Sequence, residues 1–388
     1  MTSASSAARS QPPPASDIDA VRTCSRCLMD TTDPDISFDT LGVCNHCGRY
    51  QEVARQRLIP ASERRTKLDS LVAAIAKAGR GKPYDCIIGV SGGVDSTYVA
   101  WLVKSLGLRP LAVHLDNGWN SELAVMNIEK TLKTLGVDLY THVIDWEEFR
   151  DLQVSFLKAA TPDGEVPTDH AIFALLYEMA ARHGVRYIIT GTNVVTEAVL
   201  PLKWGYGYFD WRYVADVHRR FGAAQLSSYP HFSLFGLVRY VFLRRIRLVS
   251  ILNYIEYDKR QTMEILQKQL GWTYYGGKHY ESIYTRFYQA YVLPRKFNID
   301  KRKAHYSNLI CSGQMSREQA LELMKEPVYP EHLLQQDREY AIKKLVLSAE
   351  QFEAIMQSPN RTFLDYRTSH RVFEIAKRLV NATRQYIG

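Results

Sequence analysis

Four things are missing or scarce in this 388-residue sequence, and each absence removes a class of protein. The one segment that invites a membrane reading, residues 231–252, is broken by Arg239, Arg244, Arg245 and Arg247 before it reaches the ~20 apolar residues of a bilayer span, so no transmembrane segment is expected. No basic start followed by an apolar stretch opens the chain. Residues 1–20 are rich in Ser, Ala and Pro, which reads as a disordered tail on a cytoplasmic protein, not as a secretory signal. Cysteine is limited to six residues, four of them in two Cys-x-x-Cys pairs, a usage that suits metal binding in a reducing compartment better than a disulfide framework. Both familiar phosphate signatures are absent as well: no Gly-Lys-Ser/Thr follows a glycine loop, and the three-glycine dinucleotide fingerprint does not occur.

What is present is enough for a large core, with 46% hydrophobic residues and a length that suits two to three structural units. The net charge of +8 suits an anionic partner without choosing among nucleic acid, a membrane surface and an acidic nucleotide. The chain is organised around Ile87-Ile88-Gly89-Val90-Ser91-Gly92-Gly93-Val94-Asp95-Ser96. Residues 84–90 have the length and apolarity of a buried strand, and 94–106 carry apolar side chains at helical spacing, so the small polar loop lies between a strand and a helix N-terminus. Gly92 and Gly93 let backbone approach a ligand, and the amides and dipole of the helix start favour phosphate oxygens.

The alternation continues. Strands are expected at 85–90, 110–115, 139–144 and 186–190, each separated by a segment long enough for a crossover helix, which gives a doubly wound α/β fold with a parallel sheet. Ligands in such sheets lie beyond the carboxyl ends of the strands. Besides the phosphate loop, His114, Asp116 and Asn117 follow the second strand, and Gly191, Thr192 and Asn193, with Glu197 close behind, follow the fourth. Asp116, Asn117 and Asn193 also suit capping turns, and Asp169 suits a helix N-cap with a share in the site.

Ahead of this α/β unit, Cys24-x-x-Cys27 and Cys44-x-x-Cys47 enclose sixteen residues. Two such pairs can close a tetrahedral shell of four sulfurs with no open position, so a structural zinc is expected, with iron as the alternative occupant. His46 is expected as an exposed turn residue and not a ligand, and Cys86 and Cys311 as small core residues. The resulting division is a tail at 1–20, a zinc unit at 21–50, a helical linker at 51–83, the nucleotide domain at 84–200 and a mainly helical region at 201–388. Within the last, the aromatic and arginine-rich residues 204–252 are expected to pack on the main domain, and Lys278, His279 and Arg286 are candidates for phosphate or carboxylate contacts.

The loop Ser-Gly-Gly-Val-Asp-Ser resembles that of the PP-loop ATP pyrophosphatases. Taken with the four cysteines, Asp116-Asn117-Gly118, Tyr254-Ile255-Glu256-Tyr257-Asp258-Lys259, Gly271-Trp272 and Ser316-Arg317-Glu318-Gln319-Ala320, the chain resembles the WbpG-type N-acetyl sugar amidotransferases of lipopolysaccharide O-antigen biosynthesis. That resemblance implies ATP, with its pyrophosphate held by Val90, Ser91, Gly92, Gly93, Asp95 and Ser96 and with Mg²⁺ on Asp95. It implies adenosine contacts from His114, Asp116 and Asn117, and a facing turn from Gly191, Thr192, Asn193 and Glu197. Ser91, Asp95 and Asp169 would be the catalytic residues, and Lys278, His279 and Arg286 would meet a nucleotide-linked sugar. The implied reaction converts an acetamido to an acetamidino group through an adenylylated intermediate. No glutaminase cysteine is recognisable, so ammonia is expected from a separate glutaminase with a cyclase-like partner. The alternative is a tRNA thiolase, which would share the zinc unit and the loop. Thiolases commonly add a cluster or persulfide cysteine, and only Cys86 and Cys311 are left over, so no nucleic-acid partner is expected.

Overall fold

A computed structural model describes residues 21–277 and 280–375. The expected tail at 1–20 and the candidates Lys278 and His279 lie outside the described residues. Five strands form one fully parallel sheet in the order β3-β2-β1-β4-β5: β1 Cys86–Gly89, β2 Pro110–Asp116, β3 Asp138–Val143, β4 Tyr187–Thr190 and β5 Arg247–Ser250. Four are the expected strands within two residues. The fifth comes from the arginine-rich stretch, where the short run Leu248-Val249 carries no period to reveal it.

Strand side chains alternate between two cores, as a pleated sheet covered on both faces requires. Ile87, Leu111, Val113 and Ile188 point into one, packed with α5 (Trp146–Ala159) and α6 (Val166–Arg182). Cys86, Ile88, Ala112 and Ile189 point into the other, with α3 (Val94–Ser105) and α4 (Glu122–Leu135). The chain leaves β1 toward β2 on one side and later reaches β4 on the other, so the crevice at the carboxyl ends of β1 and β4 is the switch point of the sheet.

The four-cysteine unit is built as its spacing suggests. The four sulfurs lie within 4.8 Å of one another, with Cys27–Cys44, Cys44–Cys47 and Cys24–Cys47 at 3.6, 3.8 and 3.9 Å. Tetrahedral zinc with ~2.3 Å arms sets sulfurs ~3.8 Å apart, so the residues present fit the ion. Amides of Arg26, Cys27 and Cys44 donate to Cys24 Sγ, the arrangement that stabilises a thiolate. The unit is moored to the C-terminal region: Leu28 N donates to Ser307 Oγ at 3.0 Å, and the Arg317 guanidinium donates to the carbonyls of Cys24 and Cys27.

Two expectations are corrected here and a third is refined. His46 is 5% exposed, because it opens the helix Asn45–Arg57 facing inward and its Nε2 meets the buried Asp33 carboxylate at 2.6 Å. Cys311 packs half-buried against the main core, as expected, but at the place where that core holds the sulfur cluster, 3.9 Å from Cys47 Sγ. Residues 204–252 divide. Trp204, Tyr213, Val214 and Phe232 are buried, whereas Phe235, Phe242 and Leu243 face solvent.

Candidate active site

The loop after β1 is shaped by contacts that only glycine permits. Gly92 has φ +79°, and a Cβ there would lie 2.6 Å from the Ala124 carbonyl oxygen of α4. Trp272, buried, donates from Nε1 to the Gly92 carbonyl at 2.9 Å and holds the peptide in place. Ser91 and Ser96 face each other, Oγ to Oγ at 3.2 Å, while the Gly93 amide donates to Ser91 Oγ at 3.3 Å and the Ser91 amide to Ser96 Oγ at 3.2 Å. These hydroxyls form a small polar cradle at the N-terminus of α3, whose positive dipole end favours anions.

Asp95, in the first turn of α3, accepts a hydrogen bond from the Tyr257 hydroxyl. Burial, and then the Asp95 charge, push the Tyr257 phenol well above its ordinary value, so this tyrosine stays protonated as the donor. At Gly191 a Cβ would come within 2.9 Å of the Asp95 backbone, which explains the glycine and shows how closely the end of β4 abuts the loop.

His114 Nδ1 is 2.9 Å from the Val90 carbonyl and therefore donates to it, leaving Nε2 to accept from Asn120 Nδ2 at 3.1 Å. The ring braces the start of the loop. Asp116 Oδ1 accepts from Gly118 N and Asn120 Nδ2, which makes it the organiser of its turn. Asn117 bridges Trp119 N and Thr168 Oγ1. Thr192 bonds Thr190 and Ser250, and Asn193 caps the short helix Val194–Glu197 by accepting from Thr196 N at 2.9 Å.

Two cavities open on this loop and a third adjoins them. The largest, about 390 Å³, is lined by Val90, Ser91, Ser96, His114, Asn117 and Gly191, and also by Asp163, Glu165, Asp169 and Lys301. A second of about 170 Å³ holds Gly93, Asp95, Glu197, Lys259 and Glu281. The third, about 280 Å³, is basic and aromatic, with Lys259, Arg286, Lys301, Arg302 and three tyrosines. Of the candidate residues, Gly92, Asp116, Thr192 and Asn193 line none of the three, and Arg286 lines the third. Arg286 is clamped by two 2.7 Å bonds to Asp337, so its charge is already paired.

The carboxylates Asp163 and Glu165 were missed by sequence reasoning, and Asp169 sits inside the first turn of α6 and not at its cap, where Glu165 stands. The Pro162-Asp163-Gly164 turn was the available signal, but a turn reading absorbs it. Burial first, and then the neighbouring Asp169 charge, push Glu165 up to about 8. Burial and the Asp163 charge raise Asp169 to about 7, and Lys301 opposes both shifts. Thr285 Oγ1 donates to Glu165 Oε2 at 2.9 Å, while Glu165 Oε1, buried, has no hydrogen-bond partner among the described residues.

A parallel sheet with a Ser-Gly-Gly-Val-Asp-Ser loop at its switch point resembles the architecture expected of the PP-loop ATP pyrophosphatases. Residues 281–380 match the family model for the C-terminal domain of LPS biosynthesis protein WbpG-like proteins. Over 120 residues it is 32% identical to a glutamine-hydrolysing GMP synthase of Pyrobaculum aerophilum, a match covering 29% of this chain and 22% of that protein. A tRNA-specific 2-thiouridylase of Fusobacterium nucleatum is 27% identical over 114 residues, covering 27% of this chain and 32% of the relative. The matches thus span less than a third of each relative's length for both curated proteins. Among solved structures, an NMN synthetase from Francisella tularensis superposes with TM-score 0.29 at 15% identity, covering 59% of this chain and 93% of that one. An NH3-dependent NAD synthetase from Campylobacter jejuni gives 0.28 at 16%, covering 56% and 84%.

Proposed function

We propose that the protein is an ATP-dependent amidotransferase that turns an acetamido group of a nucleotide-linked sugar into an acetamidino group. The observation that carries this reading is that Glu281, Ser282, Thr285, Gln289 and Lys301, all within the WbpG-like segment, line the same cavity as Ser91 and Ser96 of the phosphate loop. A nucleotide site and the family's own C-terminal domain therefore share one reaction space.

The acetamido oxygen attacks the α-phosphorus of ATP, forming an oxygen–phosphorus bond and expelling pyrophosphate, and the amide nitrogen loses its proton to give an O-adenylyl imidate. Ammonia adds to the imidate carbon, one proton leaves the added nitrogen, and the carbon–oxygen bond breaks to release AMP. An amide oxygen is a weak nucleophile, so the enzyme's contribution is orientation and charge stabilisation. Ser91, Gly92, Gly93 and Ser96 supply donors for the departing pyrophosphate. Asp95 would hold Mg²⁺, which neutralises phosphate charge when bound. Asp169 and Glu165, held near neutrality, are suited to take the protons that the two steps release. Lys259 and Lys301, which line the basic cavity, provide for the sugar-nucleotide's own phosphates, while Arg302 there is held by Asp300 at 2.8 Å.

No cysteine lines any of the three cavities, and Cys86 is fully buried in β1, so ammonia made elsewhere fits the site better than glutamine opened here. A separate glutaminase with a cyclase-like channel partner would supply it. The second reading, a tRNA thiolase, is favoured by the likeness to the 2-thiouridylase, but the same lack of a cavity cysteine speaks against it. Pyrophosphate release measured with nucleotide-linked N-acetyl sugars plus ammonium, and separately with tRNA, tests both. Release with tRNA alone would replace the first reading by the second.

A further inference from the structure

We propose that residues 234–247 form a docking surface for an anionic lipid membrane. The surface lies outside the reaction cavities, and the inference does not depend on which reaction they perform. Residues 217–255 contain six arginines and no acidic residue, in a chain whose charges are otherwise mixed. Among the described residues Arg219 and Arg220 pair with Asp216, whereas Arg239, Arg244, Arg245 and Arg247 form no ion pair.

The helical segment Leu234–Val238, continued by Arg239–Leu243, presents two faces. Tyr240 stacks on Tyr177 of α6 at 5.5 Å, and Leu237 packs beside it against the main core. Phe235, Phe242 and Leu243 project into solvent at 77%, 71% and 75% exposure, with Val238 and Val241 also exposed. Phe235, Val238 and Phe242 recur at i, i+3 and i+7, so they form one stripe on the helix and the arginines flank it. An apolar stripe edged by cations, in a segment too short to span, is the pattern of an element that lies in the interface plane, its apolar side chains below the headgroups and its arginines among them.

Charge decides among the possible occupants. A second copy of the chain would bring two clusters of four arginines face to face, with Glu178 and Glu374 too few to offset them, which is repulsive. Single-stranded nucleic acid would use aromatic platforms, but three of the five exposed apolar side chains here, Val238, Val241 and Leu243, are aliphatic and cannot stack on bases. An anionic bilayer satisfies both the arginines and the aliphatic groups. No described helix is long and apolar enough to cross a membrane, so the contact is peripheral.

Flotation of the full chain with vesicles of 30% phosphatidylglycerol in phosphatidylcholine, against pure phosphatidylcholine, tests the proposal. The expected result is co-flotation with the anionic vesicles only, weakened by salt. The R244E/R245E variant should lose about fivefold in partition for each arginine removed. F235S/F242S/L243S should lose the salt-resistant part, and both variants should retain wild-type pyrophosphate release in solution because none of these residues lines the reaction cavities. Absence of flotation with anionic vesicles, or flotation that neither variant diminishes, overturns the proposal. So does a dimer in solution that F235S/F242S/L243S dissociates, or RNA binding in place of vesicle binding that the same substitutions abolish.

Discussion

Asp169→Asn removes a carboxylate that the fold keeps close to neutrality, and its consequences for stability and for rate have opposite signs. In the unfolded chain the group ionises near 3.8, and in the folded chain burial and Asp163 raise it to about 7. Between those values the folded state holds one more proton than the unfolded state, so its stability falls as pH rises through that window. The full difference would be at most about 4 kcal/mol. Water reaches the carboxylate through the cavity, so about 1–2 kcal/mol is expected to be recovered when a neutral amide of the same shape replaces it. Urea denaturation of wild type and D169N at pH 5 and pH 8.5 measures this. The variant should gain little at pH 5 and about 1–2 kcal/mol at pH 8.5. Amidine formation should fall by at least about a hundredfold, the usual contribution of a positioned base. In the wild type the rate should rise through the range between about 7 and 8 as Asp169 and Glu165 ionise. A stability gap that does not widen with pH, or a variant that retains its rate, would refute the assignment of this carboxylate as a buried base.

Other outcomes follow from the same geometry. Gly92→Ala forces a Cβ to 2.6 Å from the Ala124 carbonyl in a left-handed backbone; pyrophosphate release should drop at least about tenfold with a stability loss of about 1–3 kcal/mol, read by activity and thermal unfolding. Ser91→Ala and Asp95→Asn should leave the unfolding transition nearly unchanged while costing several kcal/mol of transition-state stabilisation, ~3 for a typical oxyanion-type donor, and normal release from both would contradict the site. Metal analysis of protein purified without chelator should return about one zinc per chain, lost together with thermal stability in Cys24→Ser/Cys27→Ser; an iron-cluster spectrum would sink the zinc assignment. The isolated chain should form amidine with ammonium at alkaline pH, where free NH₃ is abundant, and not with glutamine. Glutamine hydrolysis by the purified chain would show that a cysteine has been misjudged.

Features encoded over short sequence distances were legible before any coordinates. A strand, a glycine-paired loop and a helix within 84–106 announce themselves because hydrophobic period and turn chemistry are local properties, and the four cysteines announce a metal because a tetrahedral shell needs two short hairpins of fixed spacing. The sheet with its first four strands, the loop at the end of β1 and the cysteine cluster were therefore determined by the sequence itself. Where local signals had two readings, the structure chose. Asn193 is a cap and Asp116 a turn organiser, because each accepts its own downstream amides.

What only the tertiary structure decided depends on segments far apart in the chain. Asp163, Glu165 and Asp169 look like an ordinary turn and helix start until Thr285 and Lys301, more than a hundred residues later, close the other side of their cavity. Tyr257 reaches Asp95 and Trp272 reaches Gly92 from a region with no recognisable period of its own. His46 turns inward because Asp33 waits for it, Cys311 comes to rest beside Cys47, and β5 pairs with β4 because an open edge was available. Desolvation and long-range pairing have no sequence period, since they arise only when the chain has already brought distant groups together.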